Sequence, residues 1–279
     1  MKQCLSAVRC PVCKKHVFMR GNSLICKKGH CFDLAKTGYV NFCAARDDTY
    51  PRSLFESRQR IYQAGFYEPL IREIADILNK HVTAPSPLIV DAGCGEGYFL
   101  SRITDSFSCR GIGFDISKEA IRLASRLSKD ILWMVADLGD IPVKNGQAAA
   151  ILNILTPASY AEFGRVLTKG GLIIKAVPGS GYLRELRELA GSRLQSGDYS
   201  NSSTIDYFKQ NARLIEQRHL RWSLPLTPEQ ARDIARMTPM LSHVDAEELE
   251  IEKLTEISME MDVLVGQAKE HTNNSNLNR

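Results

Sequence analysis

Near the start of the chain, RCPVCKKHVFMRGNSLICKKGH separates Cys10 from Cys13 by two residues, then, twelve residues later, Cys26 from His30 by three. Each short pair can face one ion from a tight turn, and the set matches the arithmetic of a tetrahedral zinc site. Cys31, next to His30, and His16, between the pairs, compete with His30 for the fourth place. The intervening segment predicts a hairpin turning at Arg20-Gly21-Asn22. Bound zinc would replace the core that about 40 residues cannot build. The plainer alternative is a group of reduced thiols without metal.

A second set of residues suits a nucleoside. In LIVDAGCGEGYFLSRI an apolar strand closes on Asp91, a loop carries Gly93, Gly95 and Gly97, and an apolar helix follows. A glycine loop alone says little, but CRGIGFDIS ends a second strand at Asp115, 24 residues past Asp91. A carboxylate there can take both ribose hydroxyls. ILWMVADLGDIP predicts a third strand ending at Asp137, with Leu138 after it. Acids closing three successive strands outweigh the reading of solvent-facing acids on a nucleotide-free sheet. The loop is G-C-G-E-G rather than G-x-G-x-x-G, and no GK[ST] follows, so a phosphate cradle is poorly supported.

These residues need a scaffold. Apolar spacing predicts a helix over residues 57–82, with Leu70, Ile71, Ile74, Ile77 and Leu78 on one face, and SKEAIRLASRLSK a helix capped by Ser117. QAAAILNILTP and GGLIIKAVPG read as a fourth and a fifth strand. Strands alternating with helices give an α/β fold, a parallel sheet wound on both faces with its ligand at the carboxyl ends. Beyond it, Leu183 to Leu194 reads as a basic helix and Asp245 to Glu256 as an acidic segment. Arg184, Arg187 and Arg193 are candidates to line a nucleic-acid cleft, against the commoner reading of a solvated face.

Bulk properties set further bounds. A chain of 279 residues exceeds the usual size of one core. No apolar run approaches the roughly 18 to 20 residues that cross a bilayer, and MKQCLSAVRC lacks the apolar region of a secretory signal. A cytoplasmic protein with no membrane partner is expected. Six of the eight cysteines lie in the first 43 residues, a clustering that in a reducing compartment points to metal rather than disulfides. Residues 1–60 carry a net +8 and the remainder −4, so a basic head precedes a near-neutral body. Such a head suits a polyanion, or is simply a solvated basic face. Phe32, Tyr39 and Phe42 lie near Lys36. They suit stacking on single-stranded RNA or covering the small core; packing is the stronger reading for Phe32, and the two are balanced for Tyr39.

At this point DAGCGEG, the acid at the next strand's end and ADL resemble the motif series of class I S-adenosylmethionine-dependent methyltransferases. The resemblance implies that the loop of Asp91, Gly93, Gly95 and Gly97 faces the methionine part of the cofactor. It further implies that Asp115 holds the ribose and that Asp137 with Leu138 holds the adenine. The wider order CPVC, CKKGH, FDLAKTGYVN, GFY, DAGCGEGYF, FDIS, NILTPASYAEFGRVLTKGG and MTPMLSHVD resembles the RlmA-type ribosomal RNA guanine-N1 methyltransferases from about residue 8 to residue 268. Membership would imply methylation at N1 of a guanine in a hairpin loop of 23S ribosomal RNA near the macrolide-binding region, with a bearing on antibiotic resistance. Matching family positions place Tyr67, Tyr182 and the backbone near Phe99 and Leu100 beside the cofactor, and the resemblance favours a homodimer. Implied domains are a zinc-binding RNA-recognition domain over 1–45, a linker over 46–56, the methyltransferase domain over 57–268 and a disordered tail over 269–279. The chain departs from the family at Ala149, where an acid is frequent, at Ser159, where TPAS replaces SPAN, and at Tyr182, often His.

A sulfonium methyl is already electrophilic, so alignment supplies much of the catalysis, but guanine N1 must lose a proton. Asn153, Thr156 and Tyr160 are candidates for that part, and the sequence does not choose among them. The absence of a D/N-PP-Y/F stretch argues against exocyclic amino methylation, and Cys94 without a preceding Pro reads as packing. Rival classes are a small-molecule methyltransferase with a zinc-bound accessory lobe and a non-catalytic RNA-binding zinc module.

Overall fold

The computed structural model describes residues 1–43, 51–193, 199–241 and 249–269. The first five residues of the expected linker (46–50) and all but the first residue of the expected tail (270–279) lie outside them. The N-terminal segment forms an antiparallel sheet of β1 (Val17–Arg20), β2 (Ser23–Cys26) and β3 (Cys31–Asp33). Its first turn runs through Gly21 at φ +60, a left-handed conformation that glycine adopts without strain.

The large sheet grows from the apolar runs. β5 (Leu88–Ala92), β6 (Arg110–Asp115), β7 (Leu132–Val135), β8 (Ala148–Ile154) and β9 (Leu167–Pro178) are parallel, and nearly all their residues are buried, as a sheet covered on both faces requires. α1 (Arg52–Gln63), α2 (Glu68–His81), α3 (Tyr98–Ser106), α4 (Lys118–Leu127) and α5 (Tyr160–Val166) supply much of that cover, with α6 (Arg184–Ala190), α7 (Ser202–Asn211) and α8 (Pro228–Met237) further along. Ser117 caps α4, its Oγ accepting from Ala120 N at 3.1 Å.

Several expectations change. The helix expected over 57–82 is broken at Gly65, whose φ of +82 ends α1 and lets α2 start afresh. β7 stops at Val135, and Asp137 instead folds a turn, its Oδ1 accepting from Gly139 N at 2.8 Å. The C-terminal part is not chiefly helical: β10 (Ala212–Pro225) and β11 (Glu256–Ala268) form a long antiparallel pair that joins the sheet beside β9. The order is β10-β11-β9-β8-β5-β6-β7, closed at the far edge by β4 (Val40–Asn41) from the N-terminal segment, parallel to β7.

β4 shows that the head is fastened to the sheet. Cys4 Sγ donates to Gly111 O at 3.3 Å, Arg9 reaches Ile141 O at 3.1 Å and Asp140 at 2.7 Å, and Ser125 Oγ donates to Thr37 Oγ1 at 2.7 Å. Val8, Val17, Leu24 and Val40 share one apolar cluster with β6 and β7. A ribbon too small for its own core thus leans on the larger one. Tyr39 is buried in that junction rather than free to stack, and Phe32 packs edge-on against Phe42 with centroids 4.9 Å apart.

Candidate metal centre and cofactor cavity

In the head, each ligand pair sits on a knuckle. Lys14 N donates to Cys10 O at 2.9 Å on one, and Gly29 N, at φ +84, to Cys26 O at 2.9 Å on the other. The four atoms Cys10 Sγ, Cys13 Sγ, Cys26 Sγ and His30 Nδ1 come together, all within 4.8 Å of one another. Cys13 Sγ lies 3.5 Å from Cys26 Sγ, and His30 Nδ1 3.3 Å from Cys26 Sγ. Ligands on a tetrahedral zinc about 2.3 Å from sulfur stand roughly 3.8 Å apart, so the group fits that ion. Burial raises the Cys26 thiol, but the N–H groups of Lys28 and His30 and the side chains of Cys13 and His30 outweigh it and bring it down to about 6. Such a thiol is largely ready to ligate as thiolate. Cys31 is exposed and stands outside the cluster, as does His16.

At the carboxyl ends of β5, β6, β8 and β9 lies a cavity of about 490 Å³. It unites Tyr67, Asp91, Gly93, Gly95, Phe99, Asp115 and Tyr182, drawn from loops far apart in sequence. Gly97, Leu100, Asp137 and Leu138 do not line it. Leu100 acts behind the wall, its backbone N–H donating to the Asp91 carboxylate. Gly97 serves packing: a Cβ there would stand 2.4 Å from Trp133 Cη2. Gly93 tightens the same loop, since its Cβ would meet Thr156 Oγ1 at 2.4 Å.

The electrostatics favour a cation. Burial, with the Asp115 charge adding, pushes Asp91 up to about 8, and its Oδ2 is buried without a hydrogen-bond partner. Burial likewise raises Glu96, whose Oε1 also lacks a partner, against the opposing effect of Arg58 at 3.2 Å. Asp115 is raised by burial even though Gly95 N and Ser117 N each donate to it at 2.9 Å. Three crowded carboxyl groups facing one arginine disfavour a phosphate and suit the sulfonium and ammonium charges of S-adenosylmethionine. Arg58, Tyr62, Glu96, Ile116, Met237 and Thr238 also line the cavity, though the motifs did not point to them. Ile116, exposed and directly after a strand-end acid, was within reach of sequence reasoning; Arg58 and Met237 arrive from helices with no motif.

Of the candidates for proton removal, Thr156 lines the cavity, whereas Asn153 is buried and already paired, its Nδ2 donating to Pro157 O at 2.7 Å. Tyr160 stands on the wall of an adjoining cavity. Arg184 is tied to Glu185 at 3.3 Å and Glu188 at 3.6 Å, Arg187 packs over the Tyr199 ring, and Arg193 is exposed. Cys94 packs in the loop, as expected.

A parallel sheet with this order, an acid-lined cavity at its carboxyl ends and a Cys/His ribbon on its edge define an S-adenosylmethionine-dependent methyltransferase carrying zinc. Comparison with known proteins agrees. The family pattern described as RlmA, N-terminal, a zinc ribbon, matches residues 8–46, and a methyltransferase-domain pattern matches residues 89–171. The chain is 34% identical over 273 residues to a Bacillus subtilis protein named as a candidate 23S rRNA (guanine-N(1)-)-methyltransferase, covering 94% of this chain and 97% of that one. It is 30% identical to the 23S rRNA (guanine(748)-N(1))-methyltransferase of Streptomyces fradiae, covering 89% and 90% respectively. The chain belongs to the 23S rRNA (guanine-N1)-methyltransferase family. Among the described residues, no helix is long and apolar enough to cross a membrane.

Proposed function

We propose that the protein transfers a methyl group from S-adenosylmethionine to N1 of a guanine in a hairpin loop of 23S ribosomal RNA, near the macrolide-binding region. The observation that carries this reading is the ribbon's position. It stands on the edge of the same sheet whose carboxyl ends open the cofactor cavity, bolted there by β4 and Arg9. Lys15, Arg20, Lys27 and Lys28 are exposed on it beside exposed Phe18, which offers charge for phosphates and an apolar ring for a base. Residues 1–45 serve as the RNA-recognition domain, 57–268 as the methyltransferase domain, and the enzyme works in the cytoplasm, as a homodimer by the family resemblance.

In the cavity, Asp91 and the Gly93–Gly97 loop would hold the methionine part and Asp115 the ribose, with Tyr67, Phe99 and Tyr182 forming the wall. Asp137 and Leu138 would reach the adenine from outside the described wall, and Leu100 would hold Asp91 in place. In the ribbon, Cys10, Cys13, Cys26 and His30 would ligate zinc. The cofactor, when bound, supplies an electrophilic methyl group. The chain supplies the dry cavity, the fixed direction of approach and removal of the N1 proton. A loop guanine is already unstacked or nearly so, and drawing it into the site costs little.

The test is methyl transfer from labelled S-adenosylmethionine to 23S RNA fragments, with small-molecule acceptors in parallel. Label in RNA that weakens with salt supports the reading. Label only in small molecules, or RNA binding without transfer, contradicts it.

A further inference from the structure

Beside the cofactor cavity lies a second, of about 520 Å³, and the two share Leu155, Thr156, Pro157 and Pro178 as a common wall. Leu155 is exposed at that wall with φ +55, a strained conformation for a non-glycine residue. Tyr199 and Tyr207, 40% and 53% exposed, flank the second cavity, and the Tyr160 hydroxyl on it is buried without a partner. Flat exposed rings next to a methyl donor's pocket are what a flipped-out base needs for stacking.

Lys175, 4% exposed and in the middle of the apolar run of β9, lines the second cavity next to that common wall. Its Nζ donates to Asn153 Oδ1 at 2.6 Å and to Thr156 O at 2.9 Å. Both partners are neutral acceptors. Among the described residues no carboxylate lines this cavity; its titratable neighbours are the phenols of Tyr160, Tyr199 and Tyr207, and Lys175 pairs across β11 with Leu264. A buried ammonium without a counter-ion is costly. Burial accordingly lowers Lys175 to about 8. A neutral amine has two N–H bonds and one lone pair. The two N–H bonds are used on Asn153 and Thr156, which leaves the lone pair as the unengaged position.

We propose that the second cavity holds the target guanine and that Lys175 is the catalytic base that takes its N1 proton. The inference rests on the guanine-N1 reading above. The N1–H pair stays on nitrogen as the proton passes to Nζ, and the resulting ammonium faces the anionic base. N1 then bonds to the methyl carbon while the S–CH3 bond breaks, its pair returning to sulfur. The ammonium afterwards releases its proton to water.

The test compares wild type with Lys175→Met and Lys175→Gln on a 23S RNA fragment, with the melting temperature and calorimetric S-adenosylmethionine affinity recorded for each. Gln retains a hydrogen-bond donor for Thr156 O but cannot take a proton, and it serves if the Met variant fails to fold. Expected is a fall in kcat of about 100-fold or more in both variants, with cofactor affinity and melting temperature kept. Wild-type kcat should climb with pH and level off above about 8. The variants should lack that inflection, and their deficit should shrink as pH approaches the guanine's own N1 ionisation. A folded variant with near wild-type kcat, full activity in Lys175→Gln, or a deficit independent of pH overturns the assignment while leaving the guanine-N1 reading intact. A wild type that methylates RNA elsewhere than guanine N1 overturns both.

Discussion

The hydroxyl oxygens of Tyr67 and Tyr182 lie 2.5 Å apart on the wall of the cofactor cavity, joining a buried tyrosine to a half-buried one although 115 residues separate them. Tyr67 ends the break between α1 and α2, and Tyr182 follows β9, so this one hydrogen bond ties the helical cover to the sheet. Burial raises both phenols, and both are neutral at physiological pH. Tyr67→Phe or Tyr182→Phe alone leaves the other hydroxyl without its partner and should cost about 1–3 kcal/mol, whereas the double variant should cost less than the sum. Urea denaturation of the four proteins measures that coupling. Cofactor affinity should fall in each single variant.

Asp91 supplies a prediction with a defined sign. Its folded-state pKa of about 8 lies above the ordinary carboxyl value near 4. The native state therefore holds a proton that the unfolded state releases. Stability of the cofactor-free protein should decline as pH rises from about 4 to about 8 and then level off. Asp91→Asn should flatten that slope and raise the melting temperature at pH 8 by about 2 °C or more, the effect of ~1 kcal/mol. The same variant should lose affinity for S-adenosylmethionine, because no carboxylate remains to meet the cation. Thermal scans across pH and calorimetry separate the two effects.

How much of this was legible in the sequence follows from what each residue must do alone. Asp91, Asp115 and the glycines announce themselves because strand ends and tight turns restrict residue choice locally. The metal ligands do so for the same reason, since each pair must close one knuckle. Asp137 was legible as an acid after the third strand but not as a turn residue, because an Asx turn and a strand end both favour Asp. β4 was hidden: two residues carry no periodicity, and their pairing with β7 depends on where the ribbon docks. β10 was hidden too, since its half-buried face mixes Leu214, Leu220, Trp222 and Leu224 with the charged Glu216 and Arg218, and its exposed face carries Ile215, so no clean apolar alternation shows. Lys175 did leave a signal, a lysine within LIIKAV, where every neighbour is apolar and buried.

Gly97 tests the packing beneath the cofactor loop. At φ +77, a Cβ there would meet Trp133 and stand 2.8 Å from Ala124 Cβ. Trp133 is fully buried and held by its Nε1 donating to Ser128 O at 2.9 Å, so it has no room to yield. Gly97→Ala should destabilise the protein by about 1–3 kcal/mol and weaken cofactor binding. Chemical denaturation reads the first, calorimetry the second.

Removal of the metal should reach beyond the ribbon. Because β4 and Val8 extend into the large sheet and its apolar cluster, Cys13→Ala or treatment with a chelator should lower the melting temperature of the whole chain. An isolated unfolding of the first 43 residues is not expected. RNA methylation should be lost while S-adenosylmethionine still binds. Differential scanning calorimetry with and without zinc, alongside the methyl-transfer assay, checks both parts.

The most direct measurement takes 23S RNA incubated with the zinc-loaded protein and S-adenosylmethionine, digests it to nucleosides and oligonucleotides, and identifies the product by mass spectrometry. One equivalent of 1-methylguanosine, confined to a single hairpin-loop fragment and absent with Asp115→Ala, is the result expected. Methyl label on the exocyclic amine, on another base or on no RNA at all would contradict the account.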